Sequence, residues 1–543
     1  MSNGVRTALI SVYNKEGIVE FAKQIQELGF KILASGGTAK AILAAGIEVT
    51  DVATLVGGGA ILGHRVVTLS REIHAGLLAR DIEVDRKELD SLKIPFIDLV
   101  CVDLYPLEET IEKLRIANSG LPDQDREEVL EKTDIGGPTM LRSASKGRRV
   151  VIADFGDRQK VVDWLKAGEP DRENFISSLA AKAEYIVADY CLRSARYHSN
   201  GKLDGFAGAQ ILEAKYGENG WQTPAGLYES KHADILSLNQ FRLLAGTAPS
   251  YNNLADVDRL LQTITHIAAG FETNFKTVPK IAVGVKHGNA CGAAVDENPH
   301  LAIEKMLQGD LRAIFGGVVM VNFTVDEAAA EILLSYQMTG GQRRLLDGII
   351  APDFSPGAVE MLKRKGDKCR FLVNSGLASL TRESLDNHSR FRYVRGGFLK
   401  QPNYNFVLDF STAETNGQIS DEQKLDMLLA WTVGSTSNSN TVTLVKEQAL
   451  IGNGVGQQDR VGGCQLAIKR ATDAGHDTKG AAAYSDSFFP FVDGVEVLSK
   501  AGITSIFATS GSVRDEEIKK FCIDNQIALV MLPDREARGF FGH

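Results

Sequence analysis

Three successive runs near the N-terminus do most to limit the fold. Thr7-Ala8-Leu9-Ile10-Ser11-Val12 is strand-like, Glu16 to Leu28 is amphipathic at helical spacing, and Phe30-Lys31-Ile32-Leu33 returns to a strand pattern. This β-α-β cadence argues for a parallel sheet with helices on its faces. Further strands are expected at Pro95 to Leu104 and Arg149 to Ile152, with ligands at the carboxyl ends of such strands. From Glu173 to Arg196 the pattern is helical, and Ser199-Asn200-Gly201-Lys202 supplies a stop. The expected division is a first domain at 1–199 and a mixed α/β region at 200–543.

The chain has 543 residues, enough for about two to four domains. With 44% apolar and 24% charged residues it reads as an ordinary globular protein. A net charge of -9 gives no general drive toward nucleic-acid polymers or anionic membranes, though a local basic pocket for a phosphate is compatible with it. The six cysteines are scattered without a C-x-x-C pair, which argues for reduced thiols and against a structural zinc site. No apolar stretch approaches the roughly 18 residues of a membrane span, and no signal-peptide pattern opens the chain. A cytoplasmic location is the expectation. No short repeat or coiled-coil heptad is visible.

Two segments carry chemistry. Ser35-Gly36-Gly37-Thr38 follows a strand and opens a helix, where glycines, hydroxyls and a helix N-terminus favour an anion. The same residues also suit a plain tight turn. Lys286-His287, in the Gly-rich stretch Gly284 to Asn289, pairs a cation with an imidazole able to act as general base near neutral pH. A solvated turn is the competing reading.

Those segments, together with Asp134-Ile135-Gly136-Gly137, Tyr216-Gly217-Glu218-Asn219, Asp347-Gly348-Ile349-Ile350, Ser439-Asn440, Ser485-Asp486-Ser487-Phe488-Phe489-Pro490-Phe491 and His543, occur in an order that resembles the AICAR transformylase/IMP cyclohydrolase family along essentially the whole chain. The resemblance implies an N-terminal parallel-sheet, methylglyoxal-synthase-like domain and a C-terminal α/β/α transformylase region of two cytidine-deaminase-like subdomains. It implies the last two steps of IMP synthesis. A formyl group passes from 10-formyltetrahydrofolate, the co-substrate, to AICAR; formyl-AICAR then closes to IMP with loss of water. It also implies a homodimer.

For the first domain the resemblance places Ser11, Lys15, Ser35, Gly36, Gly37, Thr38 and Arg65 around the 5′-phosphate, with Thr68, Ile135 and Gly136 completing the pocket. Tyr105, Asp134 and Lys146 would assist ring closure, a reaction in which positioning does much of the work. A further family lysine is replaced by Val67, which can neither move a proton nor stabilise an oxyanion. His64, Arg71 or Lys15 are candidates to take over. Tyr13 replaces a small serine, and Asp103 replaces an asparagine, placing a carboxylate near an anionic ligand. The alternative is therefore a transformylase whose first domain only binds nucleotide.

For the second region, His287 is the candidate proton acceptor and Lys286 its electrostatic partner, with Asn440 on the formyl oxygen and His543 near the same centre. Asp493, Phe489, Pro490 and Arg460 are candidates for the folate, although a Phe-Phe-Pro-Phe run also reads as core. Lys215, Tyr216, Asn253, Gly316, Asp347, Phe488 and Arg538 would contact AICAR. Lys215 stands for a family arginine and lacks its bidentate fork; Trp221 stands for a histidine. Ser435 and Asn438 stand for lysines. The H-x-E and P-C-x-x-C pattern of zinc deaminases is absent, so no metal is expected. No P-loop is present to activate free formate, which favours the folate donor.

Overall fold

A computed structural model describes residues 5–117, 123–230 and 234–543. The chain divides into two compact units, Met1–Gly208 and Ala209–His543.

In the first unit, strands β1 (Arg6–Ser11), β2 (Phe30–Ala34), β3 (Thr50–Asp51), β4 (Leu99–Val102) and β5 (Val150–Ile152) form one parallel sheet in the order β3-β2-β1-β4-β5. Helices cover both faces, so β1 and β4 are buried along nearly their whole length rather than alternating. Leu9, Ile10, Leu99 and Val100 are fully enclosed in this core. The expected Pro95–Leu104 strand is shorter than its apolar run, and the expected helix runs over Arg172–His198. The unit continues past that helix because Asp204 accepts from Arg196 Nε at 2.7 Å and Gly205 O accepts from the same guanidinium at 3.2 Å.

In the second unit, β6 (Ala209–Ala214) pairs with β7 (Ala225–Glu229) as a separate hairpin. The first half of a 12-stranded sheet uses β8 (Arg242–Ala245), β9 (Lys280–Lys286), β10 (Asn289–Asp296), β11 (Val318–Val321), β12 (Gly348–Ala351) and β13 (Arg370–Val373). A second hairpin, β14 (Ser389–Val394) with β15 (Gly397–Pro402), intervenes. The other half uses β16 (Glu414–Asn416), β17 (Val442–Lys446), β18 (Ala449–Gly454), β19 (Ala482–Ser485), β20 (Ser505–Ser510) and β21 (Ala528–Pro533).

The sheet order β16-β21-β20-β19-β17-β18-β10-β9-β11-β12-β13-β8 is two copies of one topology joined back to back at β10 and β18. Each half has an antiparallel hairpin, a central parallel triplet and an antiparallel edge strand. A long helix precedes each hairpin, Tyr251–Phe275 in one half and Asp421–Ser435 in the other. Both open with a serine capping box and pack against each other in a core that includes Ile264, Ala268, Leu428 and Trp431. Among the described residues no helix is long and apolar enough to cross a membrane.

Candidate functional site

The carboxyl ends of β1, β2 and β4 open onto a cavity of about 730 Å³. Ser11, Lys15, Ser35, Gly36, Gly37, Thr38, Arg65, Val67, Thr68, Tyr105, Asp134, Ile135 and Gly136 all line it. Ser11 Oγ and Ser35 Oγ lie 2.9 Å apart at its floor. Thr38 locks the loop after β1: its hydroxyl donates to Val12 O at 3.1 Å and accepts from Val12 N at 3.2 Å. Gly36 adopts a φ of 44°, a left-handed backbone that side chains disfavour, and opens the helix Gly36–Ala44 toward the cavity.

Asp134 is the buried acid of this site. Its carboxylate accepts from Gly137 N at 2.8 Å and also from the Tyr105 and Gly136 backbones, yet burial prevails and pushes its pKa above the usual carboxylate range. Burial, then the charge of Asp134, raises the Tyr105 phenol. A Cβ at Gly137 would lie 2.5 Å from Asp134 Oδ2, so glycine is what lets the helix start this close to the acid. Lys146 sits elsewhere on that helix and faces a neighbouring cavity that shares Thr133, Asp134 and Ile135 with the first.

The three departures take definite places. Val67 packs against the apolar core at the cavity wall. Asp103 has two backbone donors, Tyr13 N and Asn14 N, and Arg158 at 3.7 Å. Its role is to pin the turn after β1, and these neighbours offset the repulsion expected of it. Tyr13 meets Tyr105 edge-on at 5.3 Å between ring centroids. Of the proposed stand-ins for the family lysine, Arg71 pairs with Glu72 and does not line the cavity, whereas Lys15 does. The His64 side chain lies outside the described residues. Lys15 donates to Val12 O and Tyr13 O, and burial lowers its pKa, with Asp103 opposing. Arg65 is engaged by Glu131.

In the second unit, Lys286 ends β9 and His287 and Gly288 form the turn to β10, with φ of 54° and 72°. Asp256, on the helix Tyr251–Phe275, accepts from Gly288 N at 2.6 Å and is close enough to His287 for their charges to interact. Lys286 Nζ donates to Phe315 O at 2.7 Å, which places it beside Gly316. The other half repeats the arrangement: Asp426 accepts from the Glu447 and Gln448 backbones, and Lys446 donates to Asp477 O. Only the first copy carries a histidine in its turn.

Arg259, three residues after Asp256 on the same helix face, organises the rest. It donates to Thr436 O at 3.0 Å, Asn438 Oδ1 at 2.8 Å and Phe541 O, while its guanidinium lies 4.7 Å from the Phe541 ring centre. Ser439 N donates to Gly542 O at 3.3 Å, and Arg392 holds His543 O at 3.0 Å. The Asn440 loop and the His543 segment are thereby held together, and Gly288 lies against the Arg259 side chain. Sequence reasoning missed Arg259 and Asp256; their i, i+3 spacing was the available signal. It also missed what Asn438 does in place of a lysine, namely accept from Arg259.

Two of the folate candidates have protein partners of their own. Arg460 pairs with the fully buried Asp486 and donates to Asn440 Oδ1 at 3.0 Å, which holds Asn440 in place. Phe489 is only 2% exposed within an apolar core, whereas Pro490 and Phe491 are exposed. Asp493 starts the helix Asp493–Lys500 and is exposed, and the next residue, Gly494, lies beside the Arg460 stem. Asp534 accepts from Ser487 Oγ at 2.9 Å and Arg538 at 2.6 Å, which brings Arg538 to the Phe488 segment.

The remaining nucleotide candidates are more dispersed. Lys215 and Tyr216 lie in the β6–β7 connection, which Asn252 Nδ2 ties to the helix Tyr251–Phe275 through Glu218 O at 3.2 Å. The Asn253 carboxamide oxygen is used in that helix's capping box, leaving its amino group for a ligand. Asp347 pairs with Arg364 at 2.6 Å, and its N–H donates to Gly317 O at 2.9 Å, next to Gly316. Trp221 is 79% exposed, so the missing histidine has not been replaced by a packed ring.

An anion-suited turn on a parallel sheet, and a Lys-His turn braced by a half-buried arginine in a duplicated sheet, define a two-site α/β protein. The chain belongs to the AICARFT/IMPCHase bienzyme family, whose model matches residues 145–470, and an MGS-like domain model matches residues 17–139. It is 36% identical over 538 residues to the bifunctional purine biosynthesis protein PurH of Anoxybacillus flavithermus, covering 97% of this chain and 98% of that protein. PurH of Bacillus cereus (strain ZK / E33L) matches at the same identity and coverage, and that of Oceanobacillus iheyensis at 35% over 540 residues. A solved structure, that of ForH, is 32% identical over 36% of this chain and 99% of its own, with a TM-score of 0.32.

Proposed function

We propose that the chain transfers a formyl group from 10-formyltetrahydrofolate to AICAR and then closes formyl-AICAR to IMP. The observation that carries this reading is the convergence in one cavity of Ser11, Ser35 to Thr38, Arg65, Thr68, Tyr105 and Asp134 to Gly136, drawn from distant segments. Residues 1–199 hold the cyclohydrolase site and 200–543 the transformylase site, the latter as two deaminase-like subdomains acting without zinc.

In formyl transfer, the AICAR amine attacks the formyl carbon while His287 takes its proton. Asn440 and Lys286 stabilise the tetrahedral oxyanion, and the C–N bond to the folate breaks as that nitrogen is protonated. Asp256 holds the His287-Gly288 turn through Gly288 N, and Arg460 orients Asn440. The protein acts on these small molecules as a cytoplasmic homodimer.

The test is mass analysis of the product formed from AICAR and 10-formyltetrahydrofolate. IMP is expected. Accumulation of formyl-AICAR alone would remove the ring-closing half of the reading, and no formyl transfer would remove both.

A further inference from the structure

Val67 lines the N-terminal cavity with an apolar side chain, and a cation stands at another edge of the same site. Lys132 follows the helix Asp123–Glu131, two residues before Asp134. Its Nζ lies 3.5 Å from Tyr13 Oη and 5.2 Å from the centre of the Tyr13 ring. Tyr13 and Tyr105 both line the cavity, and their rings meet edge-on at 5.3 Å. The backbone holding Lys132 is fixed from outside the site: Tyr190 Oη donates to Lys132 O at 3.1 Å and accepts from Asp134 N at 2.7 Å. One tyrosine of the helix Arg172–His198 thus sets both the cation and the acid.

We propose that Lys132 is a positioning residue for ring closure, acting through Tyr13 and Tyr105 to supply the positive charge that Val67 cannot. The inference rests on the ring-closing activity proposed above.

The chemistry balances with residues in place. The carboxamide nitrogen bonds to the formyl carbon, and the carbonyl electron pair moves onto oxygen. Tyr105 gives that oxygen its proton, and Asp134 takes a proton from the attacking nitrogen. Asp134 then returns its proton to the hydroxyl as the C–O bond breaks and water leaves. The Tyr105 phenolate recovers a proton from the formamido nitrogen. A nearby ammonium favours the phenolate that this sequence requires. Lys132 opposes the rise that burial and Asp134 impose on Tyr105. The other charged or titratable groups at this place are Tyr13, Lys15, Asp51, Arg65, Asp103, Glu131, Asp134 and His198.

The experiment compares wild type with Lys132→Met, Lys132→Arg and Lys132→Met/Val67→Lys across pH, reading ring closure of formyl-AICAR and formyl transfer in the same samples. Lys132→Met is expected to lower kcat for ring closure by about 10²-fold and to move the alkaline limb of its pH profile upward. Formyl transfer should be unchanged. Lys132→Arg should keep most of the rate, and Val67→Lys should restore a large part of what Lys132→Met removes. Ring closure in Lys132→Met equal to wild type at every pH would overturn the proposal alone. Wild type that transfers formyl but makes no IMP would overturn it together with the ring-closing reading.

Discussion

Arg460 donates to Asn440 Oδ1 at 3.0 Å while its guanidinium is paired with the fully buried Asp486. Asn440 is also held by its own amide, which donates to Gln457 O at 3.0 Å. The Asn440 carboxamide is therefore fixed from two sides, which is what the oxyanion role proposed for it requires. Removing the arginine outright would strand a buried carboxylate at a cost of about 3–5 kcal/mol, so the charge-keeping substitution is the informative one. A lysine side chain at this position could neutralise Asp486 but lacks the fork that reaches both partners. Arg460→Lys is expected to lower kcat for formyl transfer by about tenfold or more, short of losing the whole oxyanion donor. Steady-state kinetics checks this; a full-rate variant would show that Asn440 needs no bracing.

Phe489 and Phe491 are two residues apart and have opposite roles. Phe489 is 2% exposed and packs with Val495 and Leu498, whereas Phe491 is 52% exposed with the Arg514 guanidinium 5.0 Å from its ring centre. Phe489→Ala is expected to destabilise the fold by about 3–5 kcal/mol, and Phe491→Ala by less than about 0.5 kcal/mol. Denaturant unfolding of the two variants checks the difference. A Phe489→Ala protein of normal stability would show that the ring is not core.

Gly137 tests the N-terminal acid without altering it. An added Cβ would meet Asp134 Oδ2 at 2.5 Å and Leu104 Cδ2 at 2.7 Å. The carboxylate must shift by the order of an ångström, and such displacements cost about 10²-fold in rate. Gly137→Ala is expected to lose ring closure to that extent while formyl transfer stays at the wild-type rate. Assaying the two half-reactions separately checks it.

The first unit was legible because its site is built from contiguous loops at the ends of parallel strands, where motif and geometry coincide. Ser35 to Thr38 lie where the strand pattern placed them, whereas Asp134 to Gly136, which follow a helix, were indicated by the resemblance alone. The second unit was legible only in pieces. Its two halves share a topology and equivalent Asp256 and Asp426 contacts, but His287 in one turn is matched by Glu447 in the other, so local sequence hides the duplication. Arg259 belongs to no motif; its role comes from chain segments, 436–438 and 541–542, that only the fold brings to it. The partners of Phe489 and Arg460 were illegible for one reason: residue type suggests a ligand contact, whereas burial and the Asp486 pair appear only in the fold.

His266 provides a pH test of the second unit's core. It is fully buried, stacks on Tyr404 at 5.3 Å between ring centres, and accepts no proton readily: burial pushes its pKa from 6.5 to about 4. The native state therefore holds the neutral ring at pH values where the unfolded chain is protonated. Because the unfolded state binds more protons between those two values, stability rises with pH across that window and is flat above it. The stabilisation is complete above about pH 6.5 and is lost as pH falls toward 4, by about 3 kcal/mol in all. His266→Phe keeps a ring in the stack and removes the titration. The urea midpoint of the variant should change less than that of wild type between pH 7.5 and 4.5, and equal pH dependence in the two proteins would exclude His266 as the titrating group.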